Sequence, residues 1–325
     1  MNLHTAFYVL RWMVRDTFRQ AFGSRAFWLV LSLNGLAILL CLSVSIDGYT
    51  AEIPAGEIEY FGKDKQPLTH LSAREGHTSV AFGLIRFEQS RNGAADVLFL
   101  QSLLAKFGAG AFGILLVLLW TSGFLPEFLQ SESASVLLAK PVPRWAVLFG
   151  KYVGVVAVMA LQTTIFVGGT WLALGLKTGV WFPGYLYTIP VVVACFAILF
   201  SCMTLLAVWT RSAIVSVVGT LVFWAVCASV TNSRHELVAQ NAPASLRRGL
   251  TETGYWVLPK TVDLVYLLHT LLSPTEGKVK LAPVPLLPEL EERNEFHPEL
   301  SAVCSVLFSG AVLGLAARRF ATANY

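Results

Sequence analysis

The chain has 325 residues, of which 55% are hydrophobic and only 14% are charged, and its mean hydropathy is +0.62. This balance excludes an ordinary soluble domain, because the surface of such a domain needs more charged side chains to remain in solution. The formal net charge of +4 is small for this length, so the charge balance gives no reason to predict nucleic acid as a partner.

Residues 3–23 precede the first long apolar stretch and have an amphipathic pattern. Apolar side chains recur there at steps of three and four residues: Phe7, Leu10, Val14, Phe18 and Ala21. Arginines spaced four apart lie on another face: Arg11, Arg15 and Arg19. The pattern predicts a helix that lies in the lipid headgroup layer, and a solvated cytoplasmic helix is the alternative.

Six apolar stretches predict six membrane-spanning helices, since about 20 apolar residues are needed to cross the hydrocarbon of a bilayer. They cover residues 26–46, 109–126, 146–176, 185–209, 212–231 and 300–317. The first stretch is longer than the apolar region of a signal peptide and lacks a small-x-small cleavage site, so it is predicted to be retained. The chain is therefore predicted to be an all-α integral membrane protein, with a single transmembrane domain over residues 1–325.

Basic residues near the ends of these spans predict the orientation. If six spans alternate, the following residues fall on one side: Arg11, Arg15, Arg19, Arg25, Lys140, Arg144, Lys151, Arg211, Arg318 and Arg319. That side is predicted to be the cytoplasm and to hold both termini. The other side then receives two large external loops, 47–108 and 232–299.

Part of the second external loop is unusually apolar. Residues 254–272 could dip into the membrane as a re-entrant helix or lie on its surface. Lys260 and Asp263 argue against a full crossing, because charged side chains are costly inside a bilayer.

The sequence between the second and third spans predicts a short polar helix over residues 127–143. Glu127 and Glu132 come early in this segment and Lys140 comes near its end, an arrangement that the helix dipole favours. Pro141 and Pro143 end the helix. On the cytoplasmic side, such a helix would be a contact surface for a partner protein.

The same connection carries a family resemblance. Glu132, the pair Leu137-Leu138, the turn Lys140-Pro141-Val142-Pro143-Arg144 and Gly150-Lys151 follow one another in order, and Leu258-Pro259 and Arg318-Arg319-Phe320 occur later in the chain. This sequence of features resembles the permease subunits of the type-2 ABC exporter superfamily. The amphipathic N-terminal segment is similar to the elbow helix of that family.

The resemblance implies that 127–143 is a coupling helix seated in a groove of a separate ATP-binding subunit. The residues implied in coupling are Glu127, Glu132, Lys140, Pro141, Arg144 and Lys151; alternatively, they are ordinary interfacial charges that fix the topology. The implied partners are the ATP-binding subunit, a second permease copy or paralogue, and membrane lipid. The implied location is a bacterial inner membrane.

The two sequences that come nearest to a nucleotide-binding P-loop do not match the motif. A P-loop requires Gly-x4-Gly-Lys followed by Ser or Thr, but Gly56 is separated from Gly62 by five residues, and Tyr152 follows Gly150-Lys151. We therefore predict that this chain is not an enzyme and binds no cofactor, and that ATP and Mg²⁺ bind the partner.

Other signals of chemistry are weak. His235-Glu236 opens like a zinc-protease motif, but Ala239 stands where the second histidine is needed. No predicted span holds a pair of carboxylates, which argues against an ion-driven carrier. Gly150-x3-Gly154 permits close helix approach, either within one protomer or between two.

The leading hypothesis is the permease subunit of an ATP-driven exporter of unidentified substrate. The alternative is a non-transporting membrane scaffold or assembly protein. A membrane-embedded hydrolase ranks third, because the sequence offers it no assembled catalytic group.

Overall fold

The computed structural model describes residues 3–47, 76–80, 82–89, 93–126, 144–240, 245–272, 290, 292–293 and 295–322. Within them, six helical segments are long and apolar enough to cross a membrane: Arg25–Leu42, Asp96–Pro126, Arg144–Thr178, Pro183–Thr210, Ala213–Ala239 and Pro298–Thr322. We number these spans 1 to 6. The prediction of six membrane-spanning helices is confirmed.

The N-terminal part contains helix α1 (Leu3–Gly23) and helix α2 (Arg25–Leu42), which is span 1. Ser24 separates the two helices and caps α2, because its Oγ accepts a hydrogen bond from the Phe27 amide at 3.1 Å. The same Oγ accepts a hydrogen bond from Trp120 Nε1 at 2.8 Å. The start of span 1 is thereby joined to span 2.

Three short strands follow span 1 in the region predicted only as an external loop. They are β1 (Ser45–Asp47), β2 (Gly76–Val80) and β3 (Ile85–Gln89), and they form an antiparallel sheet in the order β1-β2-β3. Ile46 lies opposite Thr78, and Thr78 lies opposite Phe87.

Span 2 begins earlier than predicted, and its backbone changes type along its length. Helix α3 (Gly93–Leu103) leads into a π-helical stretch (Leu104–Gly113) and then into helix α4 (Ile114–Thr121). The span starts at Asp96 and not at the predicted residue 109. The sequence predicts a later start because Asp96, Gln101 and Lys106 interrupt the apolar run. Asp96 and Gln101 are nevertheless buried inside the protein.

The remaining helices complete the bundle. They are α5 (Arg144–Thr178, span 3), a 3-10 turn (Pro183–Tyr187) leading into α6 (Thr188–Thr210, span 4), α7 (Ala213–Ala239, span 5), α8 (Leu246–Val257), α9 (Thr261–Leu272) and α10 (Pro298–Thr322, span 6). Span 5 extends beyond its predicted end at residue 231, because Arg234 and His235 are buried against other helices and not in a loop.

The spans alternate in direction. Leu125, Leu148, Val208 and Phe320 form one apolar cluster that brings together the ends of spans 2, 4 and 6 and the start of span 3. We call this end of the bundle the basic end, since it carries Lys151 and the arginines used above to predict orientation. Val238, Tyr266 and Leu290 cluster elsewhere, where span 5 ends, and mark the opposite end.

Helix α1 packs along the first turns of α5 through two glycines. A Cβ added to Gly150 would lie 2.7 Å from Met13 Cβ, and one added to Gly154 would lie 2.7 Å from Thr17 Oγ1. The Gly150-x3-Gly154 motif therefore serves packing within this chain. Met13, Thr17 and Ala21 form the buried face of α1, whereas Phe7, from the predicted apolar face, is exposed.

This contact gives a first prediction. Gly154→Ala should lower the free energy of unfolding by about 2 kcal/mol, because the new methyl group forces α1 away from α5. Gly168→Ala is the matched control, since a Cβ at Gly168 meets nothing within 4 Å and alanine favours a helix. Unfolding in mixed micelles measures both variants, and equal stability of the two would contradict the packing argument.

Candidate functional site

Two of the six residues implied in coupling are described by the structure. Arg144 and Lys151 lie on α5, and Glu127, Glu132, Lys140 and Pro141 lie outside the described residues, as does the whole predicted coupling helix 127–143.

Lys151 is buried at the junction of α1 and α5, with 2% of its surface exposed. Its Nζ donates to Gln20 Oε1 at 2.7 Å and to Asp16 Oδ2 at 3.3 Å. These two partners are four residues apart and so share one face of α1. An ammonium group is costly to bury, so these bonds are needed to hold it there. Lys151 therefore links α1 to the first turns of α5.

Arg144 joins span 3 to span 6. It is the first residue of α5, and its Nη1 donates to the Ala321 carbonyl oxygen at 3.2 Å. The last carbonyls of a helix lack partners within the helix and carry partial negative charge, so a guanidinium group is favoured there. Arg144 and Lys151 thus connect the residues that follow the predicted coupling helix to two further helices.

A second site, which the sequence did not predict, lies at the opposite end. Helices α8 and α9 are joined by a turn at Leu258 and Pro259, in the segment predicted to be re-entrant or on the membrane surface. We use the word hairpin for these two helices and their turn. Helix α9 has 12 residues, about 18 Å at 1.5 Å per residue, and is too short to cross a bilayer. It packs against spans 4, 5 and 6.

The Asp263 carboxylate is the centre of this site, and it is 1% exposed. Its Oδ2 accepts hydrogen bonds from Tyr255 and Ser301, each at 2.6 Å. His235 Nε2 lies 3.1 Å from its Oδ1, at ion-pair distance. The three partners come from α8, α10 and α7, so one carboxylate ties the hairpin to spans 5 and 6. We call these residues, with Arg234 and Lys260, the Asp263 cluster.

Lys260 is fully buried beside this carboxylate. Its Nζ lies 4.7 Å from the Tyr255 ring centroid and 4.8 Å from that of Trp256, and it has no hydrogen-bond partner among the described residues. Aromatic faces attract cations and partly offset the loss of hydration. The backbone N–H of Lys260 donates to Ser305 Oγ at 3.0 Å, which holds the turn against span 6.

Arg234 closes the cluster on its outer side. The guanidinium carbon lies 4.3 Å from the Tyr255 ring centroid. Its Nη2 donates to Glu295 Oε2 at 2.7 Å, and its Nε donates to Glu252 Oε2 at 3.3 Å. Arg234 therefore links span 5 to the hairpin and to the segment that leads into span 6.

Burial and neighbouring charges shift the pKa values in the cluster. Burial raises the pKa of Asp263, but the contact with His235 and the hydrogen bonds from Ser301 and Tyr255 outweigh it, so the pKa lies below its ordinary value. Burial lowers the pKa of Lys260, although Cys304 and Asp263 oppose this shift. The carboxylate is thus held ionised, and the charged form of Lys260 is disfavoured.

The geometry limits the chemistry that the cluster can perform. Ser301 donates its hydroxyl hydrogen to Asp263, and His235 contacts that same carboxylate, so these side chains do not have the serine–histidine–carboxylate order of a nucleophilic triad. The described part of the chain also contains no group of three side chains suited to a metal ion. The contacts of Asp263 join α8 and α9 to spans 5 and 6.

Six alternating spans define the chain as a multi-pass membrane protein. Comparison with protein-family models, with curated proteins and with solved structures found no match.

Asp263→Asn should lower the free energy of unfolding by about 3 kcal/mol, because the amide loses the buried negative charge: its one oxygen can still accept from Tyr255 and Ser301, but an NH2 group then replaces the oxygen that lies 3.1 Å from His235 Nε2. Glu299→Gln is the control, since Glu299 is an exposed carboxylate in the first turn of span 6; it should change stability by less than about 0.5 kcal/mol. Unfolding in mixed micelles measures both. A loss for Asp263→Asn no larger than the control's would show that the cluster does not hold the hairpin.

The buried amine of Lys260 predicts a pH dependence with a definite sign. Its folded-state pKa is lowered, so the unfolded chain keeps a proton that the folded chain has lost between that pKa and the ordinary value near 10.5. Stability should therefore rise with pH in that window. Lys260→Met should remove this rise, and Lys177→Met, at an exposed lysine, should retain it. Melting temperatures from pH 7 to 10 test this, and identical slopes for both variants would contradict it.

Proposed function

We propose that this chain is the membrane-spanning subunit of an ATP-driven exporter, with ATP hydrolysis on a separate ATP-binding subunit that docks at the basic end. The coupling helix is the segment 127–143, as the resemblance implies. One observation carries the proposal: the described residues on both sides of that segment lie where four spans meet.

The two ends of the segment are held by different contacts. Before it, Leu125 of span 2 packs with Leu148, Val208 and Phe320, which belong to spans 3, 4 and 6. After it, Arg144 bonds to the end of span 6, and Lys151 bonds to α1. A displacement of 127–143 by a partner would therefore be passed to spans 2, 3, 4 and 6 and to α1 at once.

In this proposed exporter, the chain has a defined orientation in the membrane and further partners. The basic end faces the cytoplasm of a bacterium, and both termini lie there. Apolar side chains on spans 1, 5 and 6 are exposed and contact lipid or a second permease copy or paralogue; examples are Leu36, Val222 and Val306. The substrate is unidentified.

Co-purification tests the function. The chain is purified from native membranes in mild detergent, the proteins that accompany it are identified, and ATP hydrolysis is assayed. A P-loop ATPase that co-purifies and is stimulated by this chain is the expected result. A stable partner that is not an ATPase would favour the scaffold alternative and would overturn the exporter proposal.

Variants make this test specific. Glu132→Ala with Lys140→Ala should abolish association with the ATPase. Lys151→Met keeps the aliphatic stem but loses the bonds to α1, so it should reduce ATPase stimulation about tenfold, the equivalent of one charge-assisted hydrogen bond. Lys177→Met, at the other end of the same helix, is the matched control and should retain stimulation. Full stimulation by both lysine variants would show that Lys151 plays no part in coupling.

A further inference from the structure

A cavity of about 130 Å³ lies between spans 1, 2 and 3, about halfway along the length of these spans. Its lining is mostly apolar and includes Leu33, Ala109, Val117 and Phe166, together with the side chains of Asn34 and Gln162. Leu33 is 44% exposed, so the cavity reaches the outer surface of the bundle.

The two amides in the lining leave one donor unused. Asn34 Nδ2 donates to Gln162 Oε1 at 2.8 Å and to the Gln162 carbonyl oxygen at 3.4 Å. Gln162 is only 3% exposed, and its Nε2 has no hydrogen-bond partner among the described residues. A buried N–H group without an acceptor is unfavourable, so an oxygen that reaches it gains the full value of the bond.

The π-helical part of span 2 forms one wall of the cavity. Interruptions of this kind occur frequently at functional sites. The wall depends on two glycines: a Cβ on Gly108 would lie 2.6 Å from the Phe166 ring, and one on Gly113 would lie 2.9 Å from the Gly108 carbonyl oxygen. Because Gly108 has no side chain, the backbone of the π-helix lies directly against the Phe166 ring that lines the cavity.

The depth of the amides limits what could occupy the cavity. Asn34 and Gln162 lie near the middle of spans 1 and 3, far from the headgroup layers at the two ends of a span. The ester oxygens of phospholipids lie in those layers. An acceptor at this depth therefore belongs to a molecule that dissolves in the hydrocarbon.

We propose that this cavity binds a neutral, membrane-soluble small molecule through a carbonyl or ether oxygen. The oxygen accepts a hydrogen bond from Gln162 Nε2, and a compact apolar group packs against Ala109, Val117 and Phe166. Apolar cavities of ~150 Å³ accept benzene, so the group has about six heavy atoms. This site does not depend on the exporter function.

Photolabelling in phosphatidylcholine nanodiscs tests the proposal. The probes are a diazirine-bearing aliphatic ketone and the hydrocarbon of the same shape without the carbonyl, with labelled peptides mapped by mass spectrometry. The ketone should label the peptides that contain Asn34, Ala109 and Gln162 about fivefold more than the hydrocarbon, as expected for one neutral hydrogen bond. Cyclohexanone should suppress this labelling, and cyclohexane should not.

Variants separate the hydrogen bond from the cavity itself. Gln162→Leu should remove the preference for the ketone. Gln101→Leu is the control, because the Gln101 amide is equally buried and lacks a hydrogen-bond partner among the described residues, yet Gln101 does not line the cavity; its preference should persist. Ala109→Leu fills the space but keeps the amide, so it should block both probes.

Three outcomes would overturn the proposal. Equal labelling by ketone and hydrocarbon would identify an apolar crevice with no use for the amide. Labelling of the same peptides by a photoactivatable phosphatidylcholine acyl chain, not displaced by cyclohexanone, would identify a lipid groove. Unchanged labelling in Ala109→Leu would place the probe elsewhere, and this variant decides the question if Gln162→Leu fails to fold.

Discussion

The hydrocarbon of a bilayer offers no hydrogen bonds, so a chain that crosses it six times must satisfy its polar groups from within. Helices satisfy the backbone, and many hydroxyl side chains in the spans bond to their own helix. The hydroxyl groups of Thr170, Thr204 and Ser305 donate to the backbone carbonyl oxygens of Phe166, Phe200 and Ser301, respectively. Side chains that cannot be satisfied in this way must find partners on other helices, and these pairings fix how the helices pack.

Three such pairings occur at different depths. Lys151 meets α1 near the basic end, Asn34 meets Gln162 near the middle, and Asp263 meets Tyr255 and Ser301 near the opposite end. Breaking any of them would leave a buried polar group without a partner, which costs more than the bond itself contributes. Apolar packing alone would allow several arrangements of the helices, and these polar pairings favour one of them.

Span 6 is held at both of its ends. Ser301 and Ser305 contact the hairpin at the opposite end, and the Ala321 carbonyl accepts from Arg144 at the basic end. A rigid helix held in this way would carry a displacement from one side of the membrane to the other. In the proposed exporter, it would connect the partner ATPase to the hairpin.

The sequence by itself determined the six spans, because runs of apolar residues report directly on the ability to cross hydrocarbon. It misplaced the start of span 2 and the end of span 5, since Gln101 and Arg234 look like solvent-exposed residues until their burial is known. Only the tertiary structure decided that Gly150 and Gly154 pack against α1, because the motif permits either a partner within the chain or a second copy. The Asp263 cluster and the Gln162 cavity were likewise beyond the sequence. Asp263 and Ser301 are 38 residues apart and Asn34 and Gln162 are 128 apart, each pair on different helices. A hydrogen bond between such residues depends on distances that helix periodicity does not encode.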